Sequence, residues 1–154
     1  MSRSKNIGTA AESAVTRYAQ DNGFPDAERV ALAGMLDRGD VRLCRGVIVE
    51  VKSGEAAVTA SDRLIGEWLD ETEAERVNAG ASVGILVTKR RAVGHARAGQ
   101  WWAHVRMAEL RVLGWAPMAA GLTERQVIDR LAVRMTLADA LTLLRAAGYG
   151  EPLP

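Results

Sequence analysis

Asp40, Glu50 and Lys52 are the residues whose types and spacing point to chemistry. Glu50 and Lys52 stand two apart inside the apolar run "GVIVEVKSG", residues 46–54. A dry strand disfavours unpaired charge. Strand alternation puts Ile48, Glu50 and Lys52 on one face and Val47, Val49 and Val51 on the other. The run before it, "DVRLCR" over 40–45, also alternates, so the two predict a β-hairpin turning at Arg45 and Gly46. With a loop of three residues, 44–46, residue 43 pairs with 47 and Asp40 stands opposite Glu50. A loop of two residues slips the register by one and separates them.

Two carboxylates about 5 Å apart across a strand pair repel each other. A hard divalent cation relieves this, and Mg²⁺ suits carboxylate oxygens while keeping several waters. The backbone carbonyl of Val51 can complete such a shell. Lys52, roughly 7 Å along the strand from Glu50, can reach an attacking water or a substrate phosphate. That is the chemistry of metal-assisted phosphodiester hydrolysis. The plainer alternative is a cross-strand ion pair on a solvated face. The flanking valines and Ile48 argue instead for a central strand. Asp37 competes with Asp40 in "DRGD", where aspartate is also a turn former. The hairpin register selects Asp40.

The surrounding elements follow from periodicity and stop signals. Residues 9–22 read as a helix, with Thr9 and Glu12 as a capping box and Gly23 as the stop. Glu12 shares a helix face with Val15 and Ala19. Residues 27–34 read as a first strand. "SDRLIGEWLDETEAERVNAG", 61–80, is the clearest helix, capped by Ser61, with Leu64, Ile65, Trp68, Leu69, Thr72 and Val77 on its buried side. Residues 82–89 form a near-continuous apolar run, a central strand. Residues 101–107 read as a further strand at the sheet edge.

The tail reads as two helices, 123–131 and 136–148. The first opens on a Thr123–Gln126 capping box, and Val133 and Met135 could make a short strand between the two. "HVRMAEL" and "AVRMTLADAL" echo each other too briefly to be a repeat. The order predicts one α/β domain: a central mixed five-stranded sheet flanked by helices, core about 5–107, with a helical C-terminal extension over about 108–154.

The net charge is only +1, so a nucleic-acid surface has to be local. The loop "TKRRAVGHARAGQ" supplies one, with Lys89, Arg90, Arg91 and Arg97 and no acid among them. Arg3 and Lys5 form a candidate N-terminal arm. Three of the twenty basic residues are lysines, so the rest bring the guanidinium fork that fits phosphate. Cys44 is the single cysteine; it excludes an intrachain disulfide and fits a reducing cytoplasm. It alternates onto the Asp40 face and reads as a small packing residue. His95 and His104 are isolated and read as ordinary surface or strand residues. The four tryptophans, 68, 101, 102 and 115, read as core or interface residues. No signal peptide and no membrane span is expected.

These residues resemble a family. Asp40, then Glu50-Val51-Lys52 after nine intervening residues, with Glu12 on the first helix, resemble the PD-(D/E)xK nuclease superfamily. The segments "KNIGTAAE", "NGFPDAERVALAG", "VIVEVK", "GEWLDETEAERVNAG", "ILVTKRR" and "WWAHVRM" are similar to the archaeal-type Holliday junction resolvases. The resemblance runs from about Lys5 to Met107. It implies a restriction-endonuclease-like core, metal ligation by Glu12, Asp40 and Glu50 with the Val51 carbonyl, and a catalytic Lys52. It implies Mg²⁺, or Mn²⁺ in its place, and a homodimer that makes paired nicks in a four-way DNA junction during recombination and repair. The family's usual Pro-Asp stands here as Gly39-Asp40, and its Gly-Ser after the first strand as Gly34-Met35. Two other readings are kept: a nuclease of the same superfamily acting on flaps or duplex DNA, and a non-catalytic DNA-binding module of the same fold.

Overall fold

The valines at 47, 49 and 51 decide which way the sheet faces. They lie at most 6% exposed in one core cluster with Val83, Ile85 and Val87, their partners on the next strand. The computed structural model describes residues 3–30, 37–115 and 122–154, with side chains described except at 3–6 and 122–124. Six strands make one mixed sheet in simple chain order: β1 (Glu28–Arg29), β2 (Val41–Cys44), β3 (Val47–Lys52), β4 (Val83–Thr88), β5 (Trp102–Arg106) and β6 (Ala132–Thr136). Every neighbouring pair is antiparallel except β3 with β4. The crossover that a parallel pair requires is supplied mainly by helix α3 (Asp62–Asn78), after the single turn α2 (Glu55–Val58).

Helices cover both faces. On the valine face, α1 (Arg3–Gln20) contributes Ala11, Ala14, Val15 and Ala19 to the core. The last helix, α6 (Leu137–Ala146), contributes Leu137, Ala140, Leu141 and Leu144 to the same cluster. On the opposite face, α3 lays Leu69, Thr72 and Glu75 over the even-numbered strand residues. Gly84 permits that approach: a Cβ there would sit 3.2 Å from Thr72 and Arg76 side-chain carbons. The short α4 (Met107–Val112) and α5 (Leu122–Asp129) complete the chain. Among the described residues no helix is long and apolar enough to cross a membrane.

Several expectations change. The sheet has six strands, not five, because residues 132–136 pair along the whole of β5. β5 is therefore interior and β6 takes the edge. The C-terminal segment is not an appended helical extension; its leucines fill the valine-face core. The brief sequence echo has a structural counterpart. Each copy is a strand running directly into a helix, β5 into α4 and β6 into α6, and the two strands pair at Val105 and Val133.

The first helix starts at Arg3 rather than Thr9, so Thr9 is internal and no capping box forms with Glu12. Nothing between Arg3 and Thr9 breaks the helix, and Gly8 alone is a weak interruption. Gly23 does end it, at φ +93°, with the Phe24 N–H donating to the Ala19 carbonyl at 3.0 Å. Of the predicted first strand only two residues are described as paired. Residues 31–36, with Gly34 and Met35, lie outside the described residues. So do the side chains of Arg3, Lys5 and Thr123. In α3, Ser61 caps as expected, accepting from the Leu64 N–H at 3.3 Å. Val77, however, is 61% exposed. It lies five residues past Thr72, turned away from the sheet, and Glu75 holds the buried place instead.

If the tail is integral, truncating one of its core leucines should cost as much as any core cavity. Leu144→Ala is expected to lower unfolding stability by about 2–5 kcal/mol in a urea titration. A loss under about 0.5 kcal/mol, the size typical of surface substitutions, would mean that α6 is peripheral.

Candidate active site

The hairpin turns through Arg45 and Gly46, with Gly46 at φ +88° and Cys44 pairing with Val47. That is the short loop which alone would separate Asp40 from Glu50. An irregularity between Arg42 and Cys44 inserts one residue into β2 and restores the register. Arg42 pairs with Ile48 and Val41 with Val49. Asp40 therefore arrives opposite Glu50, as expected, by a different route. The inserted residue also turns Cys44 from the Asp40 face toward the valine-face core, against which it packs. Burial raises its thiol pKa.

Gly39 delivers Asp40 to this place. It sits at φ +83°, and a Cβ would come within 3.3 Å of Ile48 and of the Val49 carbonyl. A proline, locked near φ −65°, could not make this approach. The Asp40 N–H donates to the Val49 carbonyl at 3.0 Å, and Asp40 Oδ2 accepts from the Val51 N–H at 2.9 Å. Strand geometry sends the N–H and C=O of one residue to the same side. The Val51 carbonyl is thus directed to the side where the Asp40 carboxylate lies.

Glu50 is 7% exposed, and its Oε1 meets the Lys52 ammonium at 2.9 Å. Lys52 also contacts Glu71 of α3 at 3.1 Å and lies 5.8 Å from the Trp68 ring centre. Glu75, one turn further along α3, sets its carboxyl against that of Glu50. Its Oε2 is buried with no hydrogen-bond partner among the described residues. Glu75, Glu71 and Trp68 were not among the expected site residues. The signal for Glu75 was its spacing: three past Thr72 and six past Leu69, on the buried stripe.

The electrostatics follow from crowding. Burial, then the charge of Glu50, lifts the Asp40 pKa to about 7. Burial lifts Glu50 to about 7 against the pull of Lys52, and Glu75 adds to the rise. Glu75 is raised by burial as well. Burial works against the Lys52 ammonium, but Glu50 and Glu71 outweigh it and its pKa is raised. Lys52 is therefore a held cation rather than a poised base.

Glu12 stands apart. Arg29 of β1 grips its Oε2 with two N–H donors, at 2.9 and 2.5 Å. It remains within electrostatic range of Asp40. Among the described residues no three His, Cys, Asp or Glu side chains are gathered to enclose an ion. A magnesium shell built on one or two carboxylates plus water does not require three. Asp40, Glu50 and the Val51 carbonyl are hard-oxygen donors of that kind, and burial is the main cause that holds both carboxyls near pKa 7. The donor set fits the ion; joining it would require Glu12 to leave Arg29.

The expected DNA-contacting cations of the loop, Lys89, Arg90, Arg91 and Arg97, are all anchored. Lys89 lies 5.9 Å from the ring centre of the buried Trp101, and Arg90 stacks 4.0 Å from that of Trp102. Arg91 pairs with Glu55 at 2.8 Å, so one acid does reach this loop, from α2. Arg97 donates to the Ala92 carbonyl at 3.1 Å. His104 is 5% exposed and bonded to Thr88 at 3.0 Å; burial, then Arg134, lowers its pKa to about 4, so it stays neutral.

Comparisons with family models, with curated proteins and with solved structures find no match for the chain. The functional reading rests on residues and geometry.

Because Asp40, Glu50 and the buried Glu109 are all raised to about 7, the folded chain holds more protons than the unfolded one between their ordinary pKa values and 7. Stability is then fully present below the ordinary carboxyl range and falls as pH rises through about 7. In metal-free buffer the Tm should drop between pH 5 and pH 8, and Glu50→Gln should flatten the drop. A Tm that climbs across this window would refute the assignment.

Proposed function

We propose that the protein is a metal-dependent DNA endonuclease with a restriction-endonuclease-like core, and that branched DNA, above all the four-way junction, is its substrate. The observation that carries this is the carboxyl pair of half-buried Asp40 and buried Glu50, set across a strand pair beside the Lys52 ammonium. A binding surface for phosphate gains nothing from buried carboxylates facing it. A hydrolytic site does, since they recruit a cation.

Asp40, Glu50 and the Val51 carbonyl would hold Mg²⁺ or Mn²⁺. The ion would polarise the scissile phosphate and lower the pKa of water. The Val51 N–H fixes the orientation of Asp40, and Lys52 fixes that of Glu50. Lys52, kept charged by Glu50 and Glu71, would offer its N–H donors to the attacking water and to the charge that grows on the phosphoryl oxygens. Hydrolysis would leave a 5′-phosphate and a 3′-hydroxyl. Paired nicks across a junction need two such sites, hence a homodimer, working in the cytoplasm. The resemblance supports the junction over a flap or a linear duplex.

One observation favours the other class. The grip of Arg29 on Glu12 ties down an acid that the resemblance assigns to the metal. A module of this fold that binds DNA without cutting could keep such a clamp.

The purified chain should be incubated with a labelled four-way junction, a flap and a linear duplex, with and without Mg²⁺ or Mn²⁺. Symmetric paired nicks in the junction are expected. Cutting only of flap or duplex would transfer the substrate, and binding without cutting in either metal would remove the enzyme. Lys52→Ala should slow cleavage on the order of 10²-fold or more while junction binding stays close to the parental level.

A further inference from the structure

The sheet carries a second built feature on the face that bears Glu50 and Lys52. Lys52 pairs with Thr88, Thr88 with Trp102 and Trp102 with Thr136, so these residues form one row across four strands. Two strand spacings, about 10 Å, separate Lys52 from Trp102 along that row. The Trp102 indole is partly exposed and carries two guanidiniums. Arg90, just past the end of β4, lies 4.0 Å from the ring centre, and Arg134 on the edge strand β6 lies 4.7 Å from it. Arg90 also donates to the Gln100 carbonyl at 3.1 Å. Neither arginine has a carboxylate partner among the described residues. Arg29, Arg42, Arg63, Arg76, Arg91 and Arg106, by contrast, each pair with one.

Stacking holds a guanidinium flat and leaves the N–H groups along its edge to form a fork for an oxyanion. Two such groups on one ring, unneutralised and on a sheet edge, make an anion site that is ordered before anything binds. We infer that Arg90, Trp102 and Arg134 form a phosphate platform that grips the DNA strand a short way along from the phosphate at Lys52. This rests on the nuclease reading for its ligand, a DNA phosphodiester. It joins one loop cation, Arg90, to Arg134 of the edge strand on a shared ring, a contact that the carboxyl pair does not supply. Its role is to position the strand; none of the three residues touches the reacting atoms.

The test separates platform from chemistry by measuring binding without divalent metal. Arg90→Gln/Arg134→Gln should weaken binding of a fluorescein-labelled four-way junction, and the slope of log K against log salt should fall by roughly 0.9 per lost phosphate contact. In Mg²⁺, KM should rise with kcat within about twofold of the parent. Arg134→Lys, which keeps the charge but not the flat stack, should recover only part of the affinity. Trp102→Phe, which keeps a ring, should stay near the parental value. Unchanged affinity and salt slope in the double variant would overturn the platform, as would a parent chain that binds no DNA. If the parent binds but never cuts, and the double variant still loses affinity, the platform stands and the nuclease reading falls. Thermal melts that match the parent show that the losses are not misfolding.

Discussion

The constraint on which the site depends is that Asp40, Glu50 and Glu75 crowd one patch of sheet with a single ammonium among them. Carboxylates in a half-dry setting cannot all ionise without added positive charge. The fold does not relieve this by spreading them apart. It tightens it: the Val51 N–H draws Asp40 in, and α3 presses Glu75 onto Glu50. A protein built only for stability would gain by replacing such a group with apolar side chains. The proposed cation-dependent function would account for such a crowd.

The rest of the architecture can be understood as support for that patch. The valine face is sealed by α1 and α6, so β3 is packed on the side opposite its charges. Gly84 brings α3 close enough for Glu71, Glu75 and Trp68 to reach Glu50 and Lys52. The Gly46 carbonyl accepts from both Ser82 and Val83, at 2.9 and 3.0 Å, which pins the start of β4 to the hairpin turn. Two local irregularities set the geometry. The extra residue in β2 corrects a turn that is one residue short, and Gly39 bends the chain so that Asp40 enters beside Val51.

Parity made the core of the site legible. Period-two alternation separates Glu50 and Lys52 from the valines whatever the loop length, and that separation holds. The turn was less legible, because loop length and bulge are compensating quantities and only their sum fixes which residue faces Glu50. Glu75 was overlooked because an acid on a helix stripe looks like a phase error, and Val77 was the more apolar candidate. Glu12 was placed on the right helix and near Asp40, but its capture by Arg29 is a contact between elements 17 residues apart that no local pattern encodes. The C-terminal strand was half-visible, since Val133 and Met135 alternate, yet its place beside β5 depends on pairing that periodicity cannot assign.

The Arg29–Glu12 pair and the Asp40–Glu50 pair pose one question from two sides. Arg29 is 40% exposed and Glu12 18% exposed, so the pair is a partly screened surface contact of modest worth. In the carboxyl pair Glu50 is buried and Asp40 half-buried, and burial is the main cause that raises both pKa values. Under the proposed function, a divalent ion would compete for Glu12 against one guanidinium of a partly screened pair, with the Asp40 and Glu50 carboxyls on the ion's side. The same asymmetry explains why Lys52 is the steadier feature: its two carboxylate contacts come from different elements, and releasing one leaves the other to hold it.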